Sequence, residues 1–320
     1  MTSPSDPAAS LAVHRFEGSQ PGPRLVVLGA VHGNETCGTR AIERWLAELA
    51  AGRVRIERGA LTLVPVANPK AYGRRQREGD RNLNRRLRPT AHPVEFEDHV
   101  ANVLCPLLGE HDVLLDLHSF HTPGEPFVMV GPEDNTGPLE PFAHASAERA
   151  LAGHLGVGRM VEGWLDTYAR GVIERQRRAG LTGQAGDETD VAYGVGTTEY
   201  MRSVGGYGVT LECGQHDEPH APEVAWHAIG QALGWLGLAD LAVTPPQDLL
   251  RMKLVDVTDR WHDGDHLVRD WRSFDAVQAG EPIGHRAGGQ AVTAPSDGWV
   301  VFPNPAARVS HEWFYFAQRA

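Results

Sequence analysis

Three short clusters in this 320-residue chain combine residue types that hold metal ions and move protons. The first is His32-Gly33-Asn34-Glu35, directly after the apolar run Leu25–Ala30. The second is Asp116-Leu117-His118-Ser119, at the end of the run Val113–Leu117. The third is Glu212, in Val209-Thr210-Leu211-Glu212-Cys213-Gly214. Short, nearly continuous apolar runs suit strands buried on both faces of a parallel sheet. In such sheets ligands bind just outside the carboxyl ends of the strands, so the three clusters should meet on one rim. There His32 and Glu35, within one turn, and His118, from a neighbouring strand, make a His₂Glu set. That set holds catalytic zinc with a position left open for water, whose pKa falls to about 7. A further carboxylate must then take the water's proton and pass it to the leaving nitrogen, and Glu212 is the candidate. Asp116 lies two residues before His118, on the same side of an extended strand, and can accept the second imidazole N–H. A bare HxxE pair arises readily by chance. HGNE after one buried-type strand and DLHS after another is far more specific. Cys213, next to Glu212, faces the opposite way on a strand and reads as a small buried hydrophobe.

The stretch Lys70–Arg88, KAYGRRQREGDRNLNRRLR, is a local excess of positive charge in a chain of formal net charge −11. For Arg74, Arg75 and Arg88 the plainer reading is a solvated loop paired with the acidic Glu95–Asp98 segment. The functional reading is an anion site. An arginine fork such as Arg85 pairs bidentately with a carboxylate, and the neighbouring Asn84 amide completes its recognition. A separate arginine aimed at the scissile carbonyl would stabilise the oxyanion.

These residues need a frame. Helical spacing over about Cys37–Ala51, Glu95–Leu108 and Pro222–Leu238 alternates with strand candidates at Leu25–Ala30, Leu61–Val66, Val113–Leu117, Phe127–Val130 and Gly208–Leu211. That alternation predicts an α/β domain with a mostly parallel sheet over 1–244. The Gly- and acid-rich passage Thr182–Thr198 reads as a surface loop or lid. After Thr244–Pro246, short runs broken by turn signals predict a small all-β domain over 245–320. The acidic net charge argues against a nucleic-acid partner, and no apolar run is long enough to span a membrane. Cys37, Cys105 and Cys213 form no CxxC pair, which fits a reducing, cytoplasmic setting. The small polar residues MTSPSDPAAS read as a frayed tail rather than a signal peptide.

HGNE, RNLNR, DLHS and TLECG, in that order, resemble the succinylglutamate desuccinylase/aspartoacylase family, which is related to the zinc carboxypeptidases. The resemblance runs from about Leu25 to Gly214, and more loosely over the C-terminal strands. It implies a carboxypeptidase-like α/β domain with a mixed sheet, a C-terminal β-domain and one zinc per chain, Zn2+ being held by His32, Glu35 and His118. Glu212 matches the family's general acid/base. Asn84 and Arg85 match the pair that grips the substrate carboxylate. Arg77 matches the arginine that polarises the scissile carbonyl, and Arg202 resembles a second carboxylate-binding arginine. There are departures. The chain has Asn82-Leu83-Asn84-Arg85 where the family often has Asp-Leu-Asn-Arg. Thr198 stands where aspartoacylases place a tyrosine, and Tyr315 is a candidate for their C-terminal substrate tyrosine. The implied activity is hydrolysis of the amide of a small, carboxylate-bearing N-acyl amino acid. The alternatives are a zinc carboxypeptidase acting on short peptides and a non-catalytic binding protein on the same scaffold. The expected partner is a small anionic substrate, with a homodimer left open.

Overall fold

The parallel-sheet expectation rests on runs buried on both faces, and the chain builds that sheet. A computed structural model describes residues 11–182 and 190–320; the tail 1–10 and residues 183–189 of the expected loop lie outside the described residues. The elements up to the middle of the chain are β1 (His14–Glu17), β2 (Gln20–Leu28), α1 (Cys37–Ala50), β3 (Arg58–Val64), α2 (Pro69–Arg74), α3 (Phe96–Gly109), β4 (Val113–Phe120) and β5 (Phe127–Met129). Then come α4 (Ala145–His154), β6 (Arg159–Glu162), α5 (Trp164–Thr182), α6 (Thr197–Ser203), β7 (Tyr207–Gln215) and α7 (Ala221–Trp235). Only strands follow: β8 (Leu250–Asp259), β9 (His266–Leu267), β10 (Asp275–Val277), β11 (Pro282–His285), β12 (Ala291–Thr293), β13 (Gly298–Val301) and β14 (Glu312–Arg319).

Strands β3, β2, β4 and β7 are mutually parallel at the centre of a mixed sheet of order β1-β3-β2-β4-β7-β5-β6-β8-β14-β13-β10. Alternate residues of β2 explain why it must lie inside. Leu25 and Val27 join Ile42 and Trp45 of α1 and Ile229 of α7 on one face. Val26 and Leu28 join Val100 and Leu104 of α3 on the other. The side chains of Leu25, Val26, Val27 and Leu28 are removed from water, worth roughly 1.5–3 kcal/mol for a fully buried aliphatic group. Pro65 falls just past the end of β3, where its missing N–H costs no ladder bond, and its carbonyl accepts from Thr39 Oγ1 at 2.7 Å.

The sheet crosses the sequence boundary at 244/245. Strand β8 pairs parallel with β6 (Arg159↔Leu250 to Glu162↔Lys253) and antiparallel with β14. The C-terminal strands are therefore hydrogen-bonded to the sheet that carries the site, and Phe120, Phe127, Val301 and Tyr315 share one buried cluster.

Two local expectations change. Strand β4 runs on to Phe120 and all eight of its residues are buried, so His118 sits inside the strand rather than beyond it. The part of the expected lid that is described is ordered structure: a single 3-10 turn over Val191–Gly194 and the start of α6. Among the described residues no helix is long and apolar enough to cross a membrane.

Candidate active site

Parallel register brings the clusters together. Leu28 pairs with Asp116 and His118 with Glu212, so HGNE follows the strand beside DLHS, and Glu212 lies across from His118. A register irregularity immediately after His118 bends the β4–β7 pairing there, as bulges beside active sites do. Gly33 lets the HGNE turn lie against α2: a Cβ on it would stand 2.0 Å from the Ala71 carbonyl carbon.

His32, Glu35 and His118 are buried, and one ligating atom from each lies within 4.8 Å of the others. Glu35 sits between the imidazoles, Oε1 at 2.9 Å from His32 Nδ1 and Oε2 at 2.9 Å from His118 Nδ1. Both rings are held from behind. His32 Nε2 meets Asn82 Oδ1 at 3.0 Å, and His118 Nε2 meets Asp116 Oδ2 at 2.9 Å. An acceptor behind each Nε2 selects the tautomer that carries its proton there, which leaves the Nδ1 lone pair facing inward. His32 Nδ1 is buried without a hydrogen-bond partner. Two inward Nδ1 atoms and a carboxylate, each braced from outside, fit a zinc ion. The three groups bear strongly on one another's charge. Burial pulls the Glu35 carboxyl up, but the two histidines outweigh this and hold it well below its usual range. Burial lowers the His118 pKa, but Asp116 and Glu35 override it and raise it well above the ordinary histidine value. Burial, helped by Arg77, lowers His32 to about 4.

Glu212 is buried, and its Oε2 has no hydrogen-bond partner. Burial raises its pKa to about 8, with His118 opposing and Glu35 adding to the rise. A buried carboxylate without a structural bond, poised near neutrality, suits a proton carrier.

These groups line a cavity of about 580 Å³ together with Arg77, Asn84 and Arg85. Arg77 Nη1 lies 3.0 Å from Glu35 Oε1, at the edge of the His32–Glu35–His118 cluster. The Asn84 side chain accepts through Oδ1 from the Thr197 backbone N–H at 2.9 Å, leaving its Nδ2 to donate. Gly196 permits this contact, since a Cβ there would stand 2.2 Å from that oxygen. The Arg85 guanidinium rests over Trp164 at 4.9 Å and Tyr168 at 5.0 Å. Tyr315 also lines the cavity, and its buried hydroxyl has no partner.

The basic loop is more ordered than charge alone suggests. Glu97 of α3, fully buried, accepts from Asn68 Nδ2 at 2.9 Å and from the backbone N–H groups of Gly79, Asp80 and Arg81 at 3.0, 3.1 and 3.2 Å. Arg81 rather than Arg74, Arg75 or Arg88 makes the close pairs with Glu95 and Asp98, at 3.0 and 2.9 Å.

Arg202 requires correction. It lines the cavity, but its donors are engaged: Nε to Glu148 Oε2 at 2.9 Å, Nη2 to Glu148 Oε1 at 3.1 Å and the Gly208 carbonyl at 2.8 Å, and Nη1 to Glu140 at 2.6 Å. Glu199 lies 3.6 Å away. Three buried carboxylates around one guanidinium are so crowded that burial and the neighbouring acids push the Glu140 pKa up to about 7. A second substrate carboxylate would be repelled there. Arg202 holds the start of β7 in place rather than offering a free fork.

Sequence spacing did not reveal Thr197, which is buried at the start of α6. Its Oγ1 donates to Asp116 Oδ2, which also receives His118 Nε2. Asn82 Oδ1 in turn accepts from the Asn84 backbone N–H at 2.9 Å. Asn84 is thus tied to the outer partners of both histidines. Thr197→Val keeps the backbone bond to Asn84 and deletes only the hydroxyl. We expect metal affinity to fall by roughly 10–100-fold, as for other outer partners of metal ligands, measured by competition with a chromogenic chelator. Unchanged affinity would remove Thr197 from the metal site.

The chain is similar to known proteins in sequence and in fold. Residues 21–125 match the family model for the succinylglutamate desuccinylase/aspartoacylase catalytic domain. A 109-residue segment is 36% identical to the N-acyl-aromatic-L-amino acid amidohydrolase (carboxylate-forming) of Rattus norvegicus, covering 30% of this chain and 33% of that protein. The chain thus spans about a third of the length of that curated relative. Among solved structures, a succinylglutamate desuccinylase/aspartoacylase from Rhodobacter sphaeroides superposes with TM-score 0.72 at 17% identity, over 97% of this chain and 90% of that one. The ectoine utilization protein of Ruegeria pomeroyi gives 0.69 at 19% identity, over 95% and 88%. At such identities the structural likeness shows the fold.

Proposed function

We propose that this chain, whose residues 21–125 match the catalytic-domain model of the succinylglutamate desuccinylase/aspartoacylase family, is a zinc-dependent amidohydrolase that releases a free amino acid from its N-acyl derivative. The observation that carries this is one cavity with a braced His₂Glu cluster and an unpartnered Glu212 on one wall and Asn84 with Arg85 on another. Asn84 Nδ2 and Arg85 hold the substrate carboxylate and so orient the amide. Zinc held by His32, Glu35 and His118 would polarise the acyl carbonyl and acidify a water toward a pKa of about 7. Arg77 adds positive charge where the carbonyl oxygen becomes an oxyanion. Glu212 takes a proton from the attacking water and passes it to the leaving nitrogen as the C–N bond breaks. The products are a carboxylic acid and an amino acid. With Arg202 neutralised by glutamates, one carboxylate is the anchor. The three free, buried cysteines support a reducing, cytoplasmic location.

The peptidase reading uses the same carboxylate anchor but needs room for a chain. Phe302, Asn304 and Tyr315 from the C-terminal strands and their loop wall the cavity, which favours a short substrate. We expect the zinc-loaded protein to hydrolyse N-acetyl amino acids at least ten times faster than a tetrapeptide, read as free amine. The reverse ranking would replace the amidohydrolase reading with the peptidase one.

A further inference from the structure

Phe302 follows directly on β13 and adopts φ 50°, the left-handed region. For a bulky residue that conformation is strained. Glycine would adopt it freely, yet the position carries a large ring. The surroundings hold the backbone there. The Phe302 N–H donates to Ser273 Oγ at 3.0 Å, and the Ser273 N–H donates to the Pro123 carbonyl at 2.9 Å, on the loop that leaves β4. The conformation directs the ring into the active-site cavity. It packs against Phe127 at 5.5 Å, Phe120 at 5.8 Å and Tyr315 at 6.3 Å between ring centroids.

The aromatic wall is continuous from the carboxylate anchor to the reacting groups. Arg85 rests on Trp164, Trp164 lies 5.4 Å from Tyr315, and Tyr315 meets Phe302. Phe120 lies two residues beyond His118, and Phe127 pairs with Glu212 across β5 and β7. The α-carboxylate and the side chain of an amino acid branch from one carbon. In a substrate anchored at Asn84 and Arg85 the amino-acid side chain is thus within reach of this wall, which lines the same cavity. Among the described residues, Arg202 offers no free fork to a second carboxylate on that side, since it is surrounded by Glu140, Glu148 and Glu199.

We propose that Phe302 is the specificity-determining residue of this site, and that it selects N-acyl amino acids whose side chain is large and apolar, aromatic above all. The proposal rests on the amidohydrolase reading above. Ring–ring packing adds to the burial of apolar area, so selection of about tenfold is within reach of one such wall.

The test measures kcat/KM of the zinc-loaded protein on N-acetylphenylalanine, N-acetylalanine and N-acetylaspartate, beside the affinity for L-phenylalanine, L-alanine and L-aspartate by calorimetry. The natural sequence should favour the phenylalanine compounds at least tenfold in both measurements. In Phe302→Gly, which also relieves the backbone, the phenylalanine-to-alanine ratio should fall to within about threefold of unity. Phe302→Tyr, which keeps the ring, should retain the preference. Preference for alanine or aspartate in the natural sequence, or an unaltered ratio in Phe302→Gly, would overturn the proposal. Preferential binding of L-phenylalanine without hydrolysis of any substrate would sink the amidohydrolase reading while leaving the compartment as described. If Phe302→Gly fails to fold, Phe302→Asn, whose short side chain tolerates the left-handed region, carries the same prediction.

Discussion

Glu212→Gln should fold, bind zinc and lose roughly 10²–10⁴-fold in kcat, the range expected when a general acid/base is removed. The amide has nearly the same shape, and the carboxylate makes no hydrogen bond whose loss would loosen β7. What disappears is the capacity to accept and return a proton. The pH dependence should show this directly. Burial raises the Glu212 pKa to about 8, so the fraction able to act as base grows as pH rises through that value. A bound divalent cation favours the ionised form, as His118 does, and moves this limb to lower pH. The natural sequence should therefore show an acidic limb in kcat/KM below about 8, and Glu212→Gln should lack it. A variant that kept both the rate and the limb would place the proton carrier elsewhere.

The second large effect is expected at Glu35. Its two oxygens face one imidazole each at 2.9 Å, so it is the member that joins His32 to His118. Glu35→Ala should reduce bound zinc from one equivalent per chain to a small fraction. Turnover should fall with it by at least about 10²-fold, given that even outer partners of metal ligands contribute 10–100-fold. Equilibrium dialysis followed by metal analysis measures the first effect. Readdition of zinc after chelation should restore activity to the natural sequence and not to the variant. Zinc affinity should also rise with pH. Asp116 and Glu35, against the opposing effect of burial, raise the His118 pKa well above its usual value, so a proton competes with the cation until pH passes that raised value. Full activity after exhaustive chelation would overturn the metal-dependent reading.

Much of this site is legible in the chain because it is built from local signals. Leu25–Ala30 and Val113–Leu117 are nearly continuous apolar runs, so they read as strands covered on both faces, and α1, α3 and α7 are helical at the expected spacing. Once two such strands are parallel neighbours, HGNE and DLHS must share a rim, and register sets His118 beside Glu212. The short or weakly patterned elements β1, β6 and α6 did not announce themselves. Their burial comes from neighbours distant in sequence rather than from their own periodicity.

The chain by itself pointed to the candidate donor set His32, Glu35 and His118, to Glu212 as candidate proton carrier and to Asn84-Arg85 as candidate anchor pair, because each lies within a few residues of a strand end or in one basic loop. Tertiary structure alone decided how those groups are used. Arg202 is a matching arginine in sequence, yet Glu148 and Glu140, 54 and 62 residues away, take up its donors. Thr197 reaches Asp116 across 81 residues, and the strained ring of Phe302 reaches Phe120 and Phe127 only because β8 and β14 continue the sheet. Periodicity reports which face of an element is covered. It does not report which distant charge neutralises a side chain or which distant ring shapes a cavity, since those depend on contacts made only when the sheet closes.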